Sequence, residues 1–132
     1  MIYHVELLEE WLQYADEDEE VADVLLREDG PINPICFHAQ QMAEKYLKGF
    51  IVYHGGRFEK THQLDHLLHL CEEIRPDFRE LTPDIEILSE FYTETRYPGD
   101  IPEFVFDECK KGLEAAKRVK RFVLDRITAA EA

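Results

Sequence analysis

A chain of 132 residues can bury one core and is too short to need a second. Its 45% hydrophobic and 33% charged residues exclude a disordered polymer, and no apolar run approaches the ~20 residues of a membrane-spanning helix. The net charge of −14 sets the average surface against nucleic acid, whose phosphates are neutralised by Lys and Arg.

The opening MIYHVELLEEW carries acids where a secretory leader has a basic segment and an apolar run, so a cytoplasmic protein is expected. Cys36, Cys71 and Cys109 are odd in number, far apart and without a C-x-x-C pair. They read as small apolar residues, each on the buried face of a different helix, and indicate neither a zinc site nor a disulfide framework. Charge is uneven: residues 1–30 hold eleven Asp or Glu against Arg27, while residues 110–126 hold seven Lys or Arg against Glu114 and Asp125. First and last helices that lie side by side and pair their charges explain this simply; a basic stripe for RNA is the sharper reading.

Pro and Gly cluster at 30–34, 55–56, 76–83 and 98–102 and cut the chain into five helical segments of a single domain, 1–132. The first helix is expected from Val5 to Arg27, with Leu8, Trp11, Ala15, Ala22, Leu25 and Leu26 inward. Asp18 falls inside that stripe and needs a partner. Asn33-Pro34 signals the start of a second helix that ends at His54 with Gly55 beyond it. Cys36, Ala39, Ala43, Leu47 and Phe50 form its core stripe. Gln40, Gln41, Glu44 and Lys48 fall on the adjoining arc with Phe37, where polar groups can floor a site.

Thr61 is placed to cap a third helix to Ile74, with Leu64, Leu67, Leu68 and Cys71 inward. Thr82-Pro83 signals a fourth, burying Ile85, Leu88 and Tyr92 and ending at Arg96-Tyr97-Pro98-Gly99. The fifth runs from Pro102 to Ile127, with Phe106, Cys109, Leu113, Ala116, Val123 and Ile127 inward and Phe104 and Phe122 outward. The pattern is all-α: an up-and-down antiparallel bundle of about five helices.

His62, His66 and His69 follow i, i+4, i+7 spacing, which zinc accepts, but on the face opposite the apolar stripe and without supporting groups; no metal is expected. No phosphate-cradling glycine loop, H-E-x-x-H or G-x-S-x-G occurs, and no cofactor is implied. Arg96 sits at the turn that closes the fourth helix. Its guanidinium can grip phosphate or carboxylate in two-pronged fashion, or pair with Asp18 or Glu44 across the bundle.

Three stretches carry a family resemblance. Phe37-His38-Ala39-Gln40-Gln41-Met42-Ala43-Glu44-Lys45-Tyr46-Leu47-Lys48 resembles the second-helix signature of HEPN domains. Lys60-Thr61-His62-Gln63-Leu64 is similar to the Lys-Thr-His stretch that opens the next helix in that family. Thr95-Arg96-Tyr97-Pro98-Gly99 resembles the Thr-Arg-Tyr-Pro turn of its prokaryotic branch. The resemblance implies a helical bundle that forms a symmetric homodimer, associates with nucleotides or RNA, and is encoded beside a small nucleotidyltransferase, often as a toxin–antitoxin pair.

By position it makes Arg96 the motif arginine of a cleft near the dimer interface, with Gln40, Gln41, Glu44 and Lys48 lining or supporting it. Tyr97 beside Arg96 joins the expected ligand-binding set, and Asp18 is the expected structural partner of Arg96. Ribonuclease members of the family pair that arginine with a histidine about five residues later. Here no histidine follows His69. Tyr97, Asp100 or His38 would have to replace it as proton carrier. The expected function is therefore a non-catalytic module for a nucleotide or a nucleotide-bearing partner. The alternatives are a metal-independent ribonuclease toxin using Arg96, and an interaction subunit that docks a protein through Phe104 and Phe122.

Overall fold

A computed structural model describes residues 2–58, 60–91, 99 and 103–131, with side chains from His4 to Ile127. Arg96, Tyr97, Tyr92 and Asp100 lie outside the described residues, and so does the rest of the Thr-Arg-Tyr-Pro turn except Gly99. The described residues form five α-helices: α1 (Ile2–Arg27), α2 (Ile32–Tyr53), α3 (Leu64–Ile74), α4 (Thr82–Ser89) and α5 (Phe106–Glu131). A 3-10 helix, Pro76–Leu81, leads into α4, and no strand occurs among the described residues. The fold is an all-α helical bundle, as the apolar periodicity predicts.

α2 is the central helix, packing on α1, α3, α4 and α5. Its core stripe of Cys36, Ala39, Ala43, Leu47 and Phe50 is buried throughout. So are Leu8, Ala15 and Ala22 of α1, Leu64, Leu67, Leu68 and Cys71 of α3, Ile85 and Leu88 of α4, and Cys109, Leu113, Ala116, Val123 and Ile127 of α5. Burying such side chains contributes roughly 1.5–3 kcal/mol each for the larger ones, which drives these amphipathic segments together.

Cross-links between named residues give the helix directions. Asp18 of α1 reaches His38 and Lys45 of α2, and the Cβ of Trp11 lies 3.3 Å from a Cβ built on Gly49, so α1 and α2 run antiparallel. Asp84 meets Arg118 and Phe91 meets Gly112, so α4 and α5 are antiparallel too. α3 behaves otherwise: His62 lies at Gln40 and Glu44, and Cys71 lies at Leu47, so α3 runs in the same direction as α2. The connection 54–63 makes this possible by returning along α2. It starts at a left-handed Gly55 (φ +73°), whose N–H bonds Val52 O at 3.0 Å while Gly56 N–H bonds Ile51 O at 2.9 Å, closing α2 as its glycine predicts.

Several local expectations are corrected. α2 starts at Ile32 after Pro31, and the Asn33 side chain accepts the Phe104 N–H at 3.4 Å in place of capping its own helix. Thr61 precedes α3 by three residues and accepts the Gln63 N–H (3.1 Å), while Gln63 occupies the cap position. Thr82 donates its hydroxyl to Arg79 O (2.7 Å), joining the 3-10 turn to α4 without a break. α5 starts at Phe106, and residues 103–105 are non-helical, so Phe104 is not on the helix face expected of it and Phe106 lies in the first turn. Phe104 is consequently buried against Phe91, with ring centroids 5.0 Å apart, and Phe106 is 44% exposed. Phe122 is no free anchor either: it packs edge-on against Phe78 at 4.9 Å and lies under the Arg126 guanidinium.

The three cysteines sit where the pattern puts them, buried on α2, α3 and α5, but they are not equivalent. Cys36 and Cys109 are joined in a disulfide with Cα atoms 5.0 Å apart, contrary to the expectation of packing alone. α2 and α5 run side by side in the same direction, and the bond staples their first turns. Cys71 is a buried free thiol, and burial pushes its ionisation well above the ordinary thiol range.

Candidate binding site

α2 carries a polar row, Gln40, Glu44 and Lys48, at i, i+4, i+8, and all three side chains are buried. A carboxylate so placed requires donors, and Glu44 has them. Lys48 Nζ donates at 3.0 Å, His62 Nδ1 lies 3.0 and 3.2 Å from the two carboxylate oxygens, and Gln40 Nε2 reaches one of them at 3.5 Å. Gln40 also donates to His62 O (3.3 Å), which pins the 60–63 strip to α2. Gln41, half-buried, donates to Gln40 Oε1 at 2.7 Å. No buried side-chain polar atom lacks a partner among the described residues.

The far end of the row is closed by aromatic rings. Lys48 Nζ lies 5.5 Å from the Trp11 ring centroid and 5.3 Å from that of Phe58, and these two rings meet edge to face at 6.0 Å. Its charge is thereby shared between Glu44 and two ring faces. Lys48 is thus the internal counter-ion of Glu44, and the accessible end of the row lies at the half-buried Gln41 and His62.

The structure brings Gln40, Gln41, Glu44 and Lys48 together. Asp18 belongs to a separate cluster on the α1 side of α2, where Lys45 Nζ (2.5 Å) and His38 Nδ1 (2.9 Å) hold its two oxygens. Its described partners are therefore Lys45 and His38. Asp16 accepts the Tyr46 hydroxyl, and burial followed by the Asp16 carboxylate keeps that phenol protonated far above its usual range.

His62 is the residue that sequence reasoning misplaced. The i, i+4, i+7 spacing with His66 and His69 assumes a helix already formed at 62, but α3 starts at Leu64. His62 turns to Glu44, His66 is exposed, and His69 lies 3.2 Å from Glu73 on the surface. No group of three possible metal ligands is assembled among the described residues. The usable signal was the Gln-x-x-x-Glu-x-x-x-Lys row itself, whose buried acid demanded donors from another element.

Four basic residues of α5 are held by acids of the bundle. Lys117 pairs with Asp23 (2.8 Å), Lys120 with Glu19 (2.6 Å) and Asp16 (3.4 Å), Arg118 with Asp84 (2.7 Å) and Arg126 with Asp77 (3.2 Å). Lys117 and Lys120 thus join α5 to the acids of α1, while Arg118 and Arg126 turn to α4 and the 3-10 helix, so four of the seven basic residues in 110–126 are held within the bundle.

Four helices around a central α2, with a buried polar row opening beside the start of α3, define a small helical-bundle domain with an inward-facing polar site. The sequence model of the HEPN domain matches residues 8–127, and the chain belongs to the HEPN domain family. Among solved structures it resembles TT1696 from Thermus thermophilus, with 27% identity and a TM-score of 0.74, over 89% of this chain and 96% of that one. It also shares its fold with ST0689, an archaeal HEPN homologue, at 24% identity and a TM-score of 0.72, over 91% and 97% of the two chains. No curated protein matches the chain. No helix among the described residues is long and apolar enough to cross a membrane.

Proposed function

We propose that the chain is a single, non-catalytic HEPN domain that binds a nucleotide, or the nucleotide-bearing surface of a partner, at the open end of the α2 polar row. It would do so as a homodimer, as the companion of a minimal nucleotidyltransferase in a toxin–antitoxin-type pair. The observation that carries the reading is the internal neutralisation of Glu44. With Lys48 and His62 both on its carboxylate, the row is preorganised and does not repel an anion. In this reading Arg96 grips phosphate, Tyr97 stands beside it, and Gln41 supplies an amide at the rim. Gln40, Glu44 and Lys48 hold the floor rigid.

The test is calorimetric titration of ATP into the wild type, Arg96→Ala and Gln41→Ala, with circular dichroism to check helical content. Loss of binding in Arg96→Ala with intact helicity is expected. Unchanged affinity in both variants would remove the site from consideration.

One observation favours the ribonuclease alternative. His62 stands on Glu44 in the arrangement by which a carboxylate orients a proton-transferring imidazole, whereas His38 faces the other side of α2 and Asp18. Cleavage of a mixed RNA pool in the presence of chelator by the wild type, and by neither Arg96→Ala nor His62→Ala, would establish that activity.

A further inference from the structure

A second surface lies between α3, α4 and the start of α5. It is an open groove of about 1060 Å³. Leu68, Ile85 and Phe104 form its apolar floor, each already packed on the core from below. Carboxylates rim it: Asp65 and Glu72 from α3, Glu86 and Glu90 from α4, Glu103 and Glu108 from the α5 side. Among the described residues no Lys or Arg lines it. The outer face of α4 continues the surface, with Ile87 37% exposed between Glu86 and Glu90.

These acids differ from those that cross-link the helices. Asp16, Asp18, Glu19, Asp23, Asp77 and Asp84 all hold Lys or Arg side chains from another segment. In the groove Glu72 has only His69 at 4.0 Å, and Glu108 accepts the Val105 N–H at 3.0 Å. Asp65, Glu86, Glu90 and Glu103 make no hydrogen bond or ion pair among the described residues. Here carboxylates without a cationic partner among the described residues gather around an apolar floor.

We infer that this groove docks a Lys/Arg-bearing amphipathic helix of a partner protein, which sets apolar side chains on Leu68, Ile85 and Phe104 and cations on the acidic rim. Charge complementarity selects this occupant. Nucleic acid and free phosphate are repelled by the same rim. Asp65 and Ser89 line both this groove and the small pocket at His62, so the groove adjoins the open end of the α2 row. The test uses no nucleotide, so its failure is distinguishable from the failure of the nucleotide reading.

The probe is a labelled amphipathic Lys/Leu peptide of about four helical turns, titrated by fluorescence anisotropy. Three proteins are compared: wild type, Glu86→Gln/Glu90→Gln, and Glu9→Gln/Glu10→Gln, which removes the same charge from the exposed face of α1. Neutral isosteres on exposed positions leave the fold in place, as circular dichroism will check. The groove variant should bind about tenfold more weakly, and the α1 variant should bind like wild type. A poly-lysine of equal length should bind more weakly than the amphipathic peptide. Equal losses in both variants, or equal binding of the two peptides, would reduce the groove to bulk charge and overturn the proposal. A change in sedimentation mass on mutating Glu86 and Glu90 would likewise overturn it, by assigning the groove to a second copy.

Discussion

Lys48 Nζ and Glu44 Oε2 lie 3.0 Å apart with their side chains only 7% and 3% exposed, one helical turn apart on the central helix. Taken out of water, either charge alone is costly, and the pair is tolerated because each is hydrogen-bonded or ring-stacked as well. Lys48→Met should therefore lower stability by about 3–5 kcal/mol, as should Glu44→Leu. The double variant Glu44→Leu/Lys48→Met should recover much of that loss, since no uncompensated ion remains inside. Urea denaturation of the two singles and the double measures this directly, and additive losses would show that the pair is not coupled.

The Cys36–Cys109 disulfide closes a separation of 73 residues, and a loop of that length confers about 4 kcal/mol by restricting the unfolded chain. Adding a dithiol reductant, or introducing Cys36→Ala/Cys109→Ala, should lower the urea midpoint by a corresponding amount without changing helical content. Cys71 should stay unreactive toward a thiol reagent until the protein unfolds, because it is buried and its thiolate is disfavoured. Mass spectrometry after alkylation in native and denaturing buffer counts the thiols in each state.

How far the sequence reaches follows from which interactions are local. Leu64, Leu67, Leu68 and Cys71 are buried because a helix of given phase has a single apolar side, and that phase is written in the spacing. Asn33, Thr61 and Thr82 do form side-chain hydrogen bonds with the backbone, as their chemistry suggests. None serves as the cap of its helix, because neighbouring turns offer competing partners. Phe104 turns inward because α5 starts four residues later than Pro102, which leaves it in non-helical chain where the helix phase does not apply, and Phe106 is left exposed in the first turn. The disulfide and the Glu44–His62 contact join residues 73 and 18 positions apart, and no pattern along the chain records which helix ends meet. Of the expected site, the row on α2 was legible as a polar arc beside the core stripe. The burial of Lys48 was not, since it depends on Trp11 and Phe58 folding over it.

Gly112 sits inside α5 where Phe91 crosses: a Cβ built there would lie 2.1 Å from Phe91 Cε2. Phe91 is itself buried and wedged against Phe104, so it has little room to yield. The gain in helix propensity from Gly→Ala, at most about 1 kcal/mol, is therefore outweighed by overpacking of about 1–3 kcal/mol. Gly112→Ala should lower the melting temperature, and Phe91→Leu in the same chain should restore part of it. A melting temperature that rises in the single variant would mean that the ring moves aside freely.

His54 gives stability a pH dependence of definite sign. Its ring packs 4.5 Å from the Phe50 ring and 5.2 Å from that of Tyr53 at the C-terminal end of α2. Burial against these rings, and then the positive charge of Arg75, lower its pKa below the ordinary 6.5, although its outer edge meets solvent. The unfolded chain therefore takes up this proton first as the pH falls. The contribution of His54 to stability is complete above about pH 6.5 and is lost as the pH drops from there through the lowered folded-state value. His54→Gln cannot titrate, so the difference in melting temperature between wild type and variant should be constant above neutrality and should shrink or reverse from about pH 6.5 downward. A difference that is flat across the whole range would show that the imidazole is charged as readily in the folded protein as in the unfolded chain.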